Sequence, residues 1–295
     1  MSTIRVKVGL ASCGVAAGAM EVYQVLADYE KTGADIDLQK TACIGMCFEE
    51  PIVELSGGEL GKLSLGKVDP AQIIGLVEDY QKGVLPLSNI ILAEKHSAKH
   101  NELLAGQYRI VLRNCGVIDP KSIEDYEEHG GYTALKKALS MQPASIIDEV
   151  KASGLRGRGG AGFSTGQKWS LAAREEATKK YVVCNADEGD PGAFMDRSTL
   201  EGDPHNVIEG MIIGAYAMGA DEGYIYCRAE YPMAIHHLKI AIEAAEKKGY
   251  LGKKIMGSNF SFDLHIKEGA GAFVCGEETA LMQSIEGKRG MPTIR

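Results

Sequence analysis

The chain has 295 residues, of which 45% are hydrophobic and 24% charged, as is typical of a globular protein with one or two domains. Its formal net charge of −8 argues against nucleic acid or an anionic membrane as the main partner. No apolar run is long enough to span a membrane, and the N-terminal segment lacks the apolar core of a signal peptide. Seven cysteines, an odd number, do not suggest a disulfide framework, so we expect a reducing, cytoplasmic location.

Residues 1–85 are predicted to form a small α/β unit, because runs with the alternation of a strand are interspersed with runs of helical spacing. Gly57 and Gly58 separate two strand-like runs and favour a hairpin. Asp69 and Pro70 are typical of a helix start. The expected elements are a strand at 6–10, a helix at 16–31, a strand at 37–41, a hairpin at 52–55 and 60–65, and a helix at 68–80.

Two cysteines, Cys43 and Cys47, lie in the loop ACIGMCFEEP that follows the second expected strand. Thiolates on flexible loops can converge on one cluster, so the C-x3-C spacing suggests iron–sulfur ligation. Buried structural cysteines are the alternative. They fit less well, because a glycine breaks the run and Glu49, Glu50 and Pro51 follow it.

This part of the chain resembles the thioredoxin-like [2Fe–2S] ferredoxin module, which has a C-x4-C pair after its first strand and a C-x3-C pair later. Cys43 and Cys47 match the later pair, and Cys13 matches the second member of the first pair. Val8, which cannot bind iron, stands in the fourth position. The resemblance implies either a [2Fe–2S] cluster held with a substitute ligand or a module that keeps the fold without the metal.

A connector is predicted at residues 86–130, because GVLP at 83–86 breaks the preceding helix. Cys115 within it is expected to be buried, as free cysteines usually are. The expected elements of this region and the next are a strand at 108–112 and helices at 119–130, 132–139 and 143–151.

The stretch SGLRGRGGAGFSTGQKW, residues 153–169, combines closely spaced glycines with two arginines. Glycine lets backbone N–H groups approach a ligand and cations add charge, so we interpret it as a phosphate cradle for a nucleotide or a flavin. Gly157, Gly159 and Gly162 match the fingerprint G-x-G-x-x-G. The preceding segment, 144–153, has helical spacing, which argues against an ordinary Rossmann loop. A flexible glycine linker is the alternative.

A helix and a short strand lead from the glycine stretch to an acidic turn. The helix is expected at 167–179, and its N-terminus at the glycine stretch also favours an anion. A short buried strand is expected at 181–184, leading into NADEGDPGAFMDR. The turn carries four polar residues: Asn185, Asp187, Glu188 and Asp190. Such a cluster after a strand can bind ribose or ribityl hydroxyls, and a Mg²⁺ site or a solvated turn are the alternatives.

A third motif, GAGAFVCGEETALMQSIEGKRG, combines a glycine loop with the start of a helix. A loop of this kind suits a planar cofactor, with Phe273 packing near it. Glu277 and Glu278 at the helix start can instead serve only to satisfy its N-terminal N–H groups. The expected elements are a helix at 206–218, a strand at 224–227, a helix at 232–249, a strand at 260–266 and a helix at 277–285.

The three motifs, in this order over residues 107–295, resemble the NADH-binding flavoprotein (FMN) subunit of complex I and, more closely, its equivalent in NAD-dependent hydrogenases and formate dehydrogenases. The resemblance implies a Rossmann-like but non-standard FMN-binding α/β domain at 131–295, behind the thioredoxin-like domain. It also implies an FMN-dependent NADH dehydrogenase subunit, which transfers a hydride between NAD(H) and FMN and passes electrons to iron–sulfur subunits of a larger complex. The chemistry is that of FMN, so no catalytic side chain is assigned.

The same resemblance implies which residues hold FMN and NAD(H). The predicted FMN-binding residues are Gly157, Arg158, Gly159, Gly160, Lys168, Asn185, Asp187, Glu188, Gly276 and Glu277. The predicted NAD-binding residues are Gly162, Phe163, Asp190, Phe273 and Glu278.

The chain departs from the family at three points. Complex I members often have glutamate where this chain has Asp190, and tyrosine where it has Phe273. The chain also ends at Arg295, before the ubiquitin-like and [4Fe–4S] domains of the family, so we expect a truncated product or one half of a split subunit. The alternative function is a non-catalytic assembly or interaction module that keeps the fold without a working flavin site.

Overall fold

The computed structural model describes residues 3–190 and 192–294 of the chain. Contacts between residues divide the chain into two compact units. Unit 1 is residues 1–120 together with 201–203, and unit 2 is residues 121–200 together with 204–295. Every helix among the described residues is too short or too polar to cross a membrane.

Unit 1 is built on a mixed sheet, with five strands among its described residues. The strands are Ile4–Gly9 (β1), Ile36–Thr41 (β2), Val53–Ser56 (β3), Leu63–Leu65 (β4) and Ile90–Ala93 (β5). The helices are Ser12–Ala16 (α1), Ala19–Lys31 (α2), Ile73–Gln81 (α3) and Asn101–Ala105 (α4). The strand order is β2-β1-β3-β4-β5, with β1 and β2 parallel and the other pairs antiparallel. A β-α-β unit followed by a hairpin and a helix is the thioredoxin-like arrangement, so the predicted fold is confirmed.

The core of unit 1 forms from the alternating apolar residues of β1. Val6 and Val8 are fully buried, because successive side chains of a strand point to opposite faces and these two share the inner one. They belong to one buried cluster with Val22 and Leu26 of α2 and Val77 of α3. Val8, the position at which the predicted metal set lacks a ligand, is therefore a core residue.

Two helices of unit 1 differ from the sequence-based expectation. The helix expected at 16–31 begins only at Ala19, as α2, because Gly18 adopts a φ of +98° and separates it from α1, which ends at Ala16. The helix expected at 68–80 begins at Ile73. Asp69 instead stabilises the preceding turn, where its Oδ1 accepts a hydrogen bond from the backbone N–H of Ala71 at 2.7 Å.

The strand predicted at 108–112 is wrong, because these residues lie in a loop and turns, and Tyr108 is 91% exposed. The strand that joins the sheet is β5, which pairs with β4 and was not predicted. Its residues Ile90 and Ile91 are buried. An alternating pattern becomes a strand only where a neighbouring strand offers hydrogen-bonding partners, and that condition is tertiary.

Residues beyond 120 form a parallel sheet with helices. The helices are Ile123–Glu128 (α5), Thr133–Leu139 (α6), Pro143–Ala152 (α7), Thr165–Arg174 (α8), Met195–Gly202 (α9), Pro204–Met218 (α10), Pro232–Lys247 (α11) and Glu278–Ile285 (α12). The strands are Tyr181–Ala186 (β6), Glu222–Arg228 (β7) and Asp263–Gly269 (β8). Their order is β6-β7-β8, and both pairs are parallel. Parallel strands need crossovers, which α10 and α11 provide, so the predicted α/β class is confirmed.

The expectation of a buried strand at 181–184 is wrong. Tyr181 is 54% exposed and Val183 38% exposed. The physical reason is that β6 is an edge strand, which among the described residues pairs only with β7. By contrast, α6, α7, α10 and α11 lie where the spacing of apolar residues predicts them.

A buried carboxylate on α10 ties this helix to α5 and α6. Glu209 accepts hydrogen bonds from the hydroxyl of Tyr126 at 2.5 Å and from the backbone N–H groups of Tyr132 and Leu135, both at 2.9 Å. Both N–H groups lie at the start of α6, where helical backbone donors lack partners within the helix. Glu209 thus serves as a cap supplied from another helix.

We expect Glu209→Ala to lower the free energy of unfolding by about 2–4 kcal/mol, because it leaves buried donors without an acceptor. Urea unfolding followed by circular dichroism measures this change. Glu243→Ala, an exposed change on α11, is the matched control and should leave the midpoint where it is. An unchanged midpoint for Glu209→Ala would contradict the capping role.

Candidate functional site

The candidate site lies where the three parallel strands of unit 2 end. In a parallel sheet all strands finish at the same edge, and the loops that leave it form a crevice. Here β6 ends at Ala186, β7 at Arg228 and β8 at Gly269. A cleft of about 750 Å³ is lined by residues from the loops after β6 and β8 and from the glycine stretch.

The glycine stretch forms a closed loop between two helices. It follows α7, so the argument against an ordinary Rossmann loop is confirmed. Gly157 N–H donates to the carbonyl of Phe163 at 2.8 Å, and Thr165 N–H donates to that of Leu155 at 2.9 Å. These bonds close the stem of the loop. Gly160 has a φ of +100°, which a residue with a side chain adopts only at a cost.

The two arginines of this loop have different surroundings. Arg156 turns back on the loop, and its Nε donates to the carbonyl of Gly162. Arg158 lines the cleft and is the only basic side chain among the described residues that do so. Among the described residues, the positive charge placed directly at the cleft is therefore that of Arg158.

The helix after the loop, α8, is held close to α7. Ser164 caps α8, since its Oγ accepts a hydrogen bond from Gln167 N–H at 3.3 Å. A Cβ atom on Gly166 would come within 2.5 Å of the backbone nitrogen of Lys151, so this approach requires glycine. Lys168 on α8 forms an exposed ion pair with Glu278 of α12 at 3.5 Å.

The acidic turn after β6 is joined to the third motif by Asn185. Its Nδ2 donates to the carbonyl of Gly276 at 2.8 Å, and its Oδ1 accepts from Asp187 N–H at 3.1 Å. Asp187 lines the cleft, and its Oδ2 is buried without a hydrogen-bond partner among the described residues. Burial raises the pKa of the Asp187 carboxyl, and the nearby guanidinium of Arg228 opposes this rise.

Glu188 caps a helix that sequence analysis did not predict. Its carboxylate accepts hydrogen bonds from the backbone N–H groups of Met195, Asp196 and Arg197, at the start of α9, at 2.5, 3.1 and 3.3 Å. The hydroxyl of Tyr231 also donates to it, at 3.2 Å. Glu188 precedes the first residue of α9 by seven positions, so no local sequence pattern predicts the start of this helix.

The third motif also begins with a cap. Glu277 Oε2 accepts hydrogen bonds from the N–H groups of Thr279 and Ala280, both at 3.0 Å, so the expectation that it satisfies N–H groups at this helix start is confirmed. Phe273 is 71% exposed and lies against the acidic turn, since a Cβ atom on Gly189 would come within 2.5 Å of its ring. The second and third motifs are therefore in contact.

The structure brings most of the predicted site residues to one cleft. Those that line it are Arg158, Gly159, Gly160, Asn185, Asp187, Glu188, Asp190, Phe273, Gly276 and Glu277. The others, in the stem of the glycine loop or on the adjoining helices, are Gly157, Gly162, Phe163, Lys168 and Glu278. Lining residues that the sequence analysis missed are Gly189, Ala193, Met195, Asp196 and Val274. All five lie within the sequence motifs quoted above, so their place in a motif was the signal that could have identified them.

Asp196 has an unusual environment at the cleft. Burial, with the neighbouring charge of Glu188, raises the pKa of Asp196 to about 6. A raised pKa means that the folded protein holds this proton more tightly than the unfolded chain does. The contribution of Asp196 to stability is therefore fully present at low pH and is lost as the pH rises through about 6.

We expect Asp196→Asn, which cannot ionise, to raise the free energy of unfolding by about 1–3 kcal/mol at about pH 7.5, and to change it little at about pH 4. Urea unfolding at the two pH values measures the difference. Asp148→Asn, on the exposed face of α7, is the control. An equal effect at both pH values would show that the gain does not come from ionisation.

The cysteine loop of unit 1 brings two of the predicted ligands together. The Sγ atoms of Cys43 and Cys47 are 3.9 Å apart, and Gly45 N–H donates to Cys43 Sγ at 3.2 Å. Burial raises the pKa of the Cys43 thiol. Cys13 lies on α1. Within residues 3–190 and 192–294, no group of three or more His, Cys, Asp or Glu side chains is placed to hold a single metal ion.

A parallel sheet whose carboxyl edge carries a glycine loop and an acidic turn around one cleft is a nucleotide-binding α/β domain. Residues 150–295 match the family described as the Nuo51 FMN-binding domain.

The chain is similar to longer proteins. It is 61% identical over 189 residues to HndC, a subunit of the NADP-reducing hydrogenase of Solidesulfovibrio fructosivorans, an alignment that covers 64% of this chain and 38% of that protein. It is 56% identical over 174 residues to a subunit of the NADH-quinone oxidoreductase of Aquifex aeolicus, an alignment that covers 59% of this chain and 41% of that protein. The crystal structure of an NAD⁺-reducing [NiFe]-hydrogenase in the H2-reduced state matches all of this chain and 48% of its own, with a TM-score of 0.52 and 28% identity. The alignments thus span about two fifths of these curated relatives.

Proposed function

We propose that unit 2 binds FMN in the cleft with NAD(H) beside it, and that the protein is the flavoprotein subunit of a larger oxidoreductase complex. The observation that carries the proposal is the convergence of three separate loops, since Arg158, Asp187 and Glu277 line the same cleft. The FMN-binding family supports the flavin, and relatives named for NADH and NADP chemistry support the nicotinamide.

The tip of the glycine loop suits the phosphate of FMN. Arg158 supplies a positive charge there. A Cβ atom on Gly159 or Gly160 would meet no atom within 4 Å, so a ligand can approach the backbone closely. The residues proposed to hold the flavin and its phosphate are Gly157, Arg158, Gly159, Gly160 and Lys168.

The acidic turn suits the polar groups of the flavin. We propose that Asn185, Asp187 and Glu188 contact these groups, and that Gly276 and Glu277 lie beside the flavin ring. Asp187 supports this fit most directly, because a buried carboxylate oxygen without a partner is costly and an N–H or O–H donor of the ligand can satisfy it. Asn185 and Glu188 hold the turn in shape through the bonds described above.

NAD(H) is assigned to the open side of the same cleft. The exposed ring of Phe273 offers a flat apolar surface for a planar ring. FMN, when bound, exchanges a hydride with NAD(H) and passes electrons on singly. The side chains of this chain bind and orient the two ligands. The residues proposed to contact the nicotinamide nucleotide are Gly162, Phe163, Asp190, Phe273 and Glu278.

We also propose iron–sulfur subunits as the protein partners, in agreement with the hydrogenase and oxidoreductase names of the relatives. A cytoplasmic location is proposed on the odd cysteine count. The division into a ferredoxin-like module at 1–85, a connector at 86–130 and an FMN-binding domain at 131–295 is part of the same proposal.

Reconstitution with FMN tests the flavin site. We expect a flavin absorption band near ~450 nm that bleaches on addition of NADH. Arg158→Ala should weaken FMN binding about tenfold to a hundredfold, because a hydrogen bond to a charged group contributes about 1.5–3 kcal/mol. Arg174→Ala, exposed at the end of α8, is the matched control. A protein that stays colourless and reduces no dye with NADH would contradict the proposal and favour the non-catalytic module.

In unit 1, we propose that Cys13, Cys43 and Cys47 hold a [2Fe–2S] cluster with a substitute for the fourth ligand. The short distance between the sulfur atoms of Cys43 and Cys47 supports this. We expect about two iron and two sulfide ions per chain after anaerobic reconstitution, and their loss in Cys43→Ser. Cys115→Ser changes a buried thiol of the same unit and should keep the iron. Equal iron in wild type and Cys43→Ser, or none in wild type, would contradict the cluster.

A further inference from the structure

Arg228 is a charged residue at the centre of the carboxyl edge that no sequence motif singled out. It is the last residue of β7, the middle strand of the sheet. Its side chain is 19% exposed, although an arginine side chain is usually among the most exposed. A buried charge of this kind requires partners.

The partners of Arg228 include Glu188, which lines the cleft, and two residues of the segment that follows β7. Its Nη1 donates to the main-chain carbonyl of Glu188 at 2.5 Å. Its Nη2 donates to Glu230 Oε1 at 2.8 Å. The guanidinium also lies 5.6 Å from the centre of the Tyr231 ring, whose hydroxyl bonds the Glu188 carboxylate. Arg228 therefore holds Glu188 by its backbone while Tyr231 holds it by its side chain.

The carboxylate that Arg228 bonds also lies against the third motif. Glu230, which Arg228 fixes, lies so close to Gly271 that a Cβ atom there would collide with Oε1 of Glu230. Gly271 belongs to the loop that leads from β8 to Phe273. The planar guanidinium, with donors at fixed angles, thus bonds the acidic turn and also fixes Glu230, which lies against Gly271 of the third motif.

The positive charge of Arg228 also offsets part of the negative charge of the cleft. Five carboxylates line the cleft, namely Asp187, Glu188, Asp190, Asp196 and Glu277, against the single cation Arg158 among the described lining residues. Arg228 lies behind this wall, and its charge favours the ionised form of Asp187. The Nε of Arg228 is buried without a partner among the described residues, so the residue is held by its two terminal nitrogens.

We propose that Arg228 is a positioning residue of the flavin site, which fixes the turn of Asp187 and Glu188 against the third motif so that the cleft keeps its shape before FMN arrives. This inference rests on the proposed function of the cleft. Arg228 acts through Glu188 and Glu230 and is not assigned a contact with FMN.

The test compares Arg228→Gln, Arg228→Lys and the control Arg174→Gln, with FMN as the titrated ligand. We expect Arg228→Gln to raise the FMN dissociation constant at least about tenfold. Arg228→Lys should restore part of the lost affinity, because a lysine keeps the positive charge and one hydrogen bond but cannot donate from two terminal nitrogens at once. In the FMN-free protein, amide hydrogen exchange at 195–197, whose N–H groups bond Glu188, should become faster in Arg228→Gln, with the melting temperature close to that of wild type.

Activity at saturating FMN separates positioning from general damage. We expect kcat for NADH-dependent dye reduction, per bound flavin, to stay within about threefold of wild type in Arg228→Lys, since the chemistry is that of the cofactor. If wild type itself binds no FMN, the proposed function fails and this inference falls with it. If wild type binds FMN and Arg228→Gln binds it equally well, with unchanged exchange at 195–197, this inference alone is wrong.

Discussion

The parallel register of β6, β7 and β8 is the constraint on which the candidate site depends. It places Asn185 beside Tyr226 and Arg228 beside Gly269, so all three strands end at the same edge of the sheet. The segments that leave the sheet there have to lie close together, whatever their sequence. The glycine loop reaches the same place from α7 and α8, which approach closely because Gly166 has no side chain. The cleft is thus a product of sheet topology and helix packing before any ligand is considered.

Polar side chains of the cleft also fix its walls. Glu188 caps α9, Glu277 caps α12, and Asn185 joins the acidic turn to the carbonyl of Gly276. Each bond satisfies a backbone group that a loop or a helix end leaves without a partner. The structural and functional interpretations of these acidic residues are therefore compatible. The bonds that cap the helices hold the turn in which Asp187 lines the cleft, with a buried oxygen that none of the described residues pairs.

Much of this arrangement could be predicted from the sequence, where the signal is local. The helices α7 and α10 follow from apolar spacing, and the three motifs stand out by composition. Features set by distant partners could not be predicted. The run at 108–112 has the pattern of a strand but pairs with no strand in the part of the chain that the structure describes, and α9 has a cap seven residues upstream. Arg228 belongs to no motif, because its importance comes from what surrounds the end of β7.

A crystal structure of the protein grown with FMN tests the central claim most directly, namely that one cleft at the carboxyl edge gathers the three motifs around a flavin. The account predicts the phosphate at the tip of the glycine loop beside Arg158, and polar atoms of the flavin within hydrogen-bonding distance of Asp187, with Glu277 on the same side. FMN bound elsewhere, or Arg158, Asp187 and Glu277 found on different faces of unit 2, would contradict it.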